Sequence, residues 1–364
     1  MSGDLPPYPL PGITASGLAA AGLPRFEVRL AAPDLSDWLP GNCGVAGFMH
    51  FESVRPGPHV AITALMHGNE IAGAIALDGL LRSGIRPRLG RLTLGFLNLA
   101  AFGRFDPAHP TASRFVEEDM NRLWDRDVLA SSRESLELTR ARAVQPIIDS
   151  ADILLDLHSM LWPSDPLILS GPTQKGRRLA RSVGVPALVV ADRGHSSGPR
   201  LIDYAGFADE RDPRIACLVE AGPHWEAATV RTARLSVASL LRQTGLSDEA
   251  PTPAPPDLEL ATPDLETPDL ETPDLETPDL VSDAASVPTG RCAEVTHAVT
   301  AATSNFSFVR PYRGGEVIAR QGTLIAHDGT VPIYTPYDDC LLVMPSLRPT
   351  RGHTAMRLAR FLAE

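Results

Sequence analysis

The chain has 364 residues, 43% apolar and 21% charged, and no apolar run reaches the roughly 18–20 residues that a membrane-spanning helix needs. Its formal charge of −11 is concentrated: residues 257–280 hold nine Asp or Glu and no Lys or Arg, which leaves −2 for the rest. A near-neutral body of this size gives no electrostatic footprint for nucleic acid, and that class is set aside.

The N-terminus carries Asp4 and several prolines but no basic stretch, which argues against a secretory signal. Cys43, Cys217, Cys292 and Cys340 lack C-x-x-C spacing and read as reduced thiols. A cytoplasmic location without membrane attachment is the expectation. Whether the chain forms a homo-oligomer is left open.

In chain order, residues 1–40 read as an N-terminal extension ending in a first strand, Phe26–Leu30. Residues 41–246 then alternate strands with helices. The apolar runs Phe48–Glu52, Val60–Leu65, Arg91–Asn98, Ile153–Leu157, Leu167–Ser170, Ala187–Ala191 and Ile215–Glu220 predict strands. Amphipathic patterns predict helices near Glu70–Ser83, Arg133–Ser150, Gln174–Val183 and Glu226–Gln243, the last stopped at Gly245. Such alternation predicts an α/β fold with a mixed, largely parallel central sheet flanked by helices.

Residues 247–288 break the pattern. Glu-Thr-Pro-Asp-Leu recurs from Glu266, Glu271 and Glu276, and a proline in every five-residue unit blocks regular hydrogen bonding. This stretch reads as an acidic linker. Residues 289–364 return to Val, Thr, Ile and Gly with turn signals at Arg313–Gly315, His327–Gly329 and Pro336–Asp339, which predict a small β-rich domain built as a sandwich or barrel. A short helix near His353–Leu362 is expected to close the chain.

The chemistry gathers at strand ends. His67-Gly68-Asn69-Glu70 follows the run Val60–Met66, and Asp156-Leu157-His158 follows Ile153–Leu155. In largely parallel sheets a site forms at the carboxyl ends of strands. His67, Glu70 and His158 would hold one zinc ion and leave its fourth position open, as a catalytic centre requires. Glu70 alone is also what a helix N-terminus favours, so the wider constellation matters.

Two further motifs supply it. Arg114 and the run Asp119-Met120-Asn121-Arg122 fall in a loop, where Asn121 and Arg122 suit a carboxylate clamp and Arg114 suits an oxyanion. Simple surface ion pairs with Glu117, Glu118 or Asp125 are the plainer alternative for both arginines. Glu220, at the end of an apolar strand before Ala221-Gly222-Pro223, is placed as a general base.

In this order, H-G-N-E, R-x6-N-R, L-D-L-H-S and E-A-G-P resemble the succinylglutamate desuccinylase/aspartoacylase family, a branch of the zinc carboxypeptidase-like superfamily, over roughly residues 45–245. The resemblance implies an α/β domain followed by a smaller β-rich one. It implies zinc on His67, Glu70 and His158, with Glu220 as general acid/base. Asn121 and Arg122 would clamp the substrate carboxylate, and Arg114 would stabilise the oxyanion. The implied reaction is hydrolysis of an N-acyl amino acid at its amide bond. Cleavage of a C-terminal peptide bond or an ester is the nearer alternative, and a silent carboxylate-binding module the more distant one.

Some relatives read a second carboxylate through an arginine upstream of the glutamate, but Arg200, Arg211 and Arg214 stand at no matching spacing. Some also bring in a C-terminal tyrosine, for which Tyr334 and Tyr337 are candidates. Asp156 is placed to orient a ligand, His224 to line the pocket, and the polar loop His195–Gly198 to cover it.

Overall fold

The computed structural model describes residues 26–195, 197–248 and 290–362. The acidic repeat and the first 25 residues lie outside them.

The first half runs β1 (Phe48–Glu52), β2 (His59–Ala64), α1 (Ile71–Arg82), β3 (Arg91–Phe96), α2 (Leu136–Asp149) and β4 (Ile153–Met160). Then come β5 (Leu167–Leu169), α3 (Gln174–Val183), β6 (Val189–Ala191), β7 (Ile215–Pro223) and α4 (Ala227–Gln243). After the repeat follow β8 (Cys292–Thr300), β9 (Phe306–Phe308), β10 (Val317–Ile318) and β11 (Leu324–Asp328). The chain ends through β12 (Val331–Tyr334), β13 (Cys340–Val343) and β14 (Thr354–Phe361).

Eleven strands form one mixed sheet in the order β1-β3-β2-β4-β7-β5-β6-β8-β14-β13-β10. Its middle, β3-β2-β4-β7, is parallel. These strands are largely apolar because both faces are covered. Leu179, Val237 and Leu240 from α3 and α4 share one cluster with Val60 and Ile62 of β2. Ala61, the residue between them, belongs to the other cluster with Leu138, Ala141, Val144 and Ile148 of α2. Strand alternation thus distributes neighbouring side chains to opposite helical layers.

The expected C-terminal β-rich region is present, and its larger layer continues the central sheet. Val189, Val190 and Ala191 of β6 pair in parallel with Cys292, Ala293 and Glu294 of β8. The second layer, β12-β11-β9, contributes Phe306, Ile325 and Ala326 to a cluster shared with Leu342, Met356 and Leu358.

Two expected elements differ. Phe26–Leu30 is not a strand: its backbone meets the body where Arg29 N–H donates to the Trp225 carbonyl at 3.2 Å, and Leu30 is buried against Ile71 and Trp225. Phe26 instead packs its ring on Trp162 and Trp225. The expected closing helix is β14, an edge-to-edge insert between β13 and β8. Its Ala, Met, Leu and Arg residues favour helix in isolation, but pairing along both edges and burial of Ala355, Met356 and Leu358 override that preference.

The segment leading into β7 is pinned by Lys175 at the start of α3. Its buried ammonium donates to the carbonyls of Gly206, Asp209, Asp212 and Arg214 at 2.5–2.8 Å. Lys175→Met keeps the stem but leaves these carbonyls without their donor. The expected loss is about 3 kcal/mol in denaturant unfolding, and a midpoint within error of wild type would show that water replaces the ammonium freely.

Candidate metal centre and substrate site

The two histidines and both glutamates sit at the carboxyl ends of three adjacent strands. β2 ends in a kink at Leu65, whose φ of 61° is left-handed, and the chain then delivers His67 and Glu70 before α1. Gly68 is required there. A Cβ would stand 2.3 Å from the Ala101 carbonyl carbon and 2.6 Å from the Ser113 oxygen. His158 and Glu220 are register partners on β4 and β7.

His67, Glu70 and His158 are buried, and one donor atom from each lies within 4.8 Å of the others. Glu70 is the hub. Its Oε1 is 2.6 Å from His67 Nδ1, and its Oε2 is 2.9 Å from His158 Nδ1. The Ser159 N–H also donates to that Oε2 at 3.1 Å.

The outer nitrogens face aspartates: His67 Nε2 lies 3.0 Å from Asp119, and His158 Nε2 lies 2.8 Å from Asp156. Asp156 accepts in addition from the Thr63 hydroxyl at 2.7 Å. A carboxylate on each outer nitrogen holds a proton there, so that both Nδ1 atoms, which face Glu70, would be the ones to bind a metal. Two imidazole nitrogens and one carboxylate make a donor set suited to zinc. The residues present therefore fit a divalent metal.

Charges are set by burial and neighbours. Burial opposes ionisation of Glu70, but the two imidazoles outweigh it and hold the carboxyl well below the usual range. Burial likewise opposes a charged His158, yet Asp156 and Glu70 raise it well above an ordinary histidine. Glu220 is different: burial pushes it up to about 8, and its Oε2 has no hydrogen-bond partner. A buried carboxyl oxygen left without a partner is costly in a fold and common in a site that awaits one.

The arginine loop closes over this centre. Arg114 reaches both Glu70, at 3.6 Å, and Asp119, at 3.2 Å. Arg122 lies 3.9 Å from Asp119, and burial lowers its pKa to about 10. The Asn121 side-chain oxygen accepts from the Leu201 N–H at 2.9 Å. Its amide nitrogen is thereby fixed as the end available to donate elsewhere. The seven residues singled out from the sequence are thus gathered around one centre.

Other expectations resolve differently. Arg200 is committed to Asp192 and Asp203, and Arg214 to Asp212. Tyr334 is exposed, and Tyr337 bonds Thr296 within the C-terminal layer. His224 is buried, bonds the Ser159 hydroxyl at 2.7 Å and is held neutral by burial, which lowers it to about 3.

Three residues outside the sequence reading matter. Asp119 orients His67, Arg114 and the Asn121 N–H, and it lies inside the D-M-N-R run, where its spacing could have marked it. Glu137, on the first turn of α2, is fully buried. It accepts from the N–H groups of Val116, Glu117 and Glu118 at 2.7, 3.2 and 3.3 Å, and from the Asn98 amide at 3.1 Å. Glu117 and Glu118 in turn bond Leu136 and Ser135 at the start of the helix. Nothing in the sequence distinguishes Glu137 from an ordinary first-turn acid. The third, Arg357 on β14, lies 2.7 Å from the His195 ring, near Gly198, which packs on Arg122.

Because Glu137 holds the backbone of the arginine loop, Glu137→Gln should turn an NH₂ toward an N–H donor. A drop in kcat/KM of at least about tenfold is expected, carried mainly by KM, with the far-UV circular dichroism unchanged. Wild-type KM in that variant would show that the loop is held by other contacts.

Fold and site together define an α/β protein with a mixed central sheet and a His–Glu–His group able to bind a metal ion at its strand ends. Comparison with solved structures agrees on the fold. Succinylglutamate desuccinylase from Vibrio parahaemolyticus superposes with a TM-score of 0.61 at 16% identity, covering 87% of each chain. A succinylglutamate desuccinylase/aspartoacylase from Rhodobacter sphaeroides gives 0.57 at 18% identity, over 87% of this chain and 89% of that one. The product-bound ectoine utilization protein EutE (DoeB) from Ruegeria pomeroyi gives 0.54 at 15%, over 92% and 94%. Comparison with curated protein sequences returns no match.

The succinylglutamate desuccinylase/aspartoacylase catalytic-domain profile matches residues 56–244, more than half of the chain. This protein belongs to that family, whose members are amide-bond deacylases of small acylated amino acids. Among the described residues no helix is long and apolar enough to cross a membrane.

Proposed function

We propose that the chain is a zinc-dependent hydrolase that cleaves the amide bond of an N-acyl amino acid. The observation that carries this reading is Glu220, a buried carboxyl with an unpartnered oxygen beside the His67–Glu70–His158 group. A ligand-binding module has no use for such a base, whereas hydrolysis requires one.

Zinc held by His67, Glu70 and His158 would act as a Lewis acid, lowering the pKa of water to about 7 and offsetting charge at the acyl carbonyl. The chain's own residues do the rest. Arg122 and the Asn121 amide nitrogen hold the substrate carboxylate. Arg114 faces the carbonyl oxygen as negative charge develops on it. Glu220 takes a proton from the attacking water as the new C–O bond forms. It returns that proton to the leaving nitrogen as the C–N bond breaks, giving a carboxylic acid and a free amine. A carboxyl raised toward neutrality is suited to both transfers.

Metal analysis with a hydrolysis screen tests this. Protein purified without chelators should carry about one equivalent of zinc, and members of an N-acetyl and N-succinyl amino acid panel should release amine. Less than about half an equivalent, with no gain on adding zinc, would overturn the reading.

A further inference from the structure

One helical layer turns an unbroken run of positive charge to its outer surface. α3 and α4 lie side by side on the central sheet, joined where the Ser236 and Ser239 hydroxyls of α4 donate to the Val185 and Val183 carbonyls, each at 2.7 Å. Neither helix contains an Asp or Glu. Leu179, Val183, Val237 and Leu240 face the sheet. Helical spacing then turns Arg177, Arg178 and Arg181 of α3, and Arg231 and Arg242 of α4, outward. Leu235, 38% exposed, lies between the last two along α4.

The neighbouring carboxylates are engaged elsewhere. Glu210 accepts from the Gln174 and Lys175 N–H groups at the start of α3. Asp78 on α1 is bonded by Trp38 and Arg82, and its charge reaches α4 at Arg234. Asp248 pairs with Arg88, and Asp212 with Arg214. Glu226, the residue before α4, acts on Arg29, and Glu294 acts with Arg177 and Arg181 on the Cys292 thiol. Among the described residues none of the five outward arginines has an ion-pair partner.

The chain carries a complement to this face, and both of its attachment points lie on the same layer. The described body ends at Asp248, just after α4, and resumes at Gly290. The resuming end lies beside α3: a Cβ on Gly290 would stand 2.2 Å from the Ala187 oxygen, and Cys292 lies within the influence of Arg177 and Arg181. Between these ends, residues 257–280 hold nine Asp or Glu, no Lys or Arg, and a leucine in every repeat. The chain from Asp248 to Asp257 reaches up to about 30 Å. α4, with 17 residues, is about 25 Å long, so the acids can lie anywhere along it.

We infer that the arginine face of α3 and α4 is the docking surface for residues 257–280 of the same chain. The carboxylates of the Glu-Thr-Pro-Asp-Leu repeats pair with Arg177, Arg178, Arg181, Arg231 and Arg242, and a repeat leucine packs on Leu235. Each exposed pair is weak by itself. Tethering at both ends raises the effective concentration to the order of millimolar, so several weak pairs act together. An acidic segment from a second copy, or a foreign polyanion, has to compete with that tethered one. Docking here is independent of the reaction at the strand ends, and its test reads no turnover.

Spin labels on Ser182→Cys in α3 and Thr272→Cys in the repeat, with Cys43→Ser removing the exposed thiol, give the separation by pulsed dipolar spectroscopy. In the full chain at low salt, one distance distribution is expected, at least about threefold narrower than a tethered coil gives. Adding Arg178→Glu, Arg181→Glu and Arg242→Glu should broaden it to the coil width. So should about 1 M salt, where the screening length falls to about 3 Å. A broad distribution before any reversal leaves the face to another partner and overturns the proposal, as does a narrow one that survives reversal or salt. Excess unlabelled chain should change nothing, and loss of the narrow distances on such dilution would assign the segment to a second copy and overturn docking within the chain. If the reversed variant does not fold, Glu→Gln and Asp→Asn at all nine acids leave the body intact. That variant should give the coil width, and a narrow distribution in it overturns the proposal.

Discussion

Glu220→Ala should abolish turnover while zinc content stays near that of wild type. General acid–base catalysis contributes roughly 10²–10⁴-fold, and here one side chain serves both proton transfers, so a loss toward the upper end is expected. Zinc is expected to remain because the His67–Glu70–His158 donor group does not include Glu220. Paired activity and metal measurements on the same preparation check this, and zinc lost along with activity would show that Glu220 is a ligand and not the base. Glu220→Gln adds a signature in pH. In metal-free protein the Glu220 carboxyl is pushed up to about 8 from an ordinary 4.5. The folded state therefore holds its proton more tightly than the unfolded state does. That contributes stability below about pH 4.5, which is lost as pH rises toward 8. The glutamine variant lacks this loss, so its melting temperature relative to wild type should climb across that window. A constant difference between the two would mean that Glu220 ionises as it would in water.

His158→Ala should lose metal and activity together. Its imidazole is the bridge between Glu70 and Asp156, 2.9 and 2.8 Å away and both buried. Removing an outer partner of a metal ligand typically weakens metal binding by 10–100-fold, and removing the ligand itself should exceed about a hundredfold. The variant also leaves two buried carboxylates facing a cavity, and breaking a buried pair in this way costs about 3–5 kcal/mol. Competition against a graded set of chelators, with thermal melting of the metal-free forms, measures both. Wild-type zinc affinity in this variant would remove His158 from the ligand set, and Glu220 would then have to be reconsidered.

Much of this was readable in advance. Strands β1 to β7 and helices α1 to α4 follow from apolar periodicity, because buried parallel strands and their covering helices leave strong, local patterns. The short runs were harder. Phe26–Leu30 has a strand's composition, but the neighbours it meets, Trp162 and Trp225, offer aromatic faces. Thr354–Phe361 has a helix's composition, yet lies between two strands that both require partners. In each case the outcome depends on what lies alongside, and an eight-residue segment carries no record of that.

The site divides in the same way. His67, Glu70, His158 and Glu220 could be named from sequence because each ends an apolar strand, and parallel strands deliver their ends to one side of a sheet. Asn121, Arg122 and Arg114 followed from short spacing. Which nitrogen of each histidine faces Glu70 and which an aspartate, and that Asn121 turns its oxygen to Leu201, were settled by partners from distant parts of the chain. Glu137 and Arg357 were invisible for the same reason: one braces a loop some 20 residues earlier, the other arrives from the last strand.

The sequence by itself determined the alternating α/β layers, the residues able to bind a metal and the strand-end glutamate beside them. These rest on periodicity and on chemistry that a few adjacent residues can specify. Only the tertiary structure decided how charges are neutralised. Arg200 is spent on two aspartates while Arg357 rests on the His195 ring, because the strength of an ion pair depends on distance and burial, and neither is written in the order of residues.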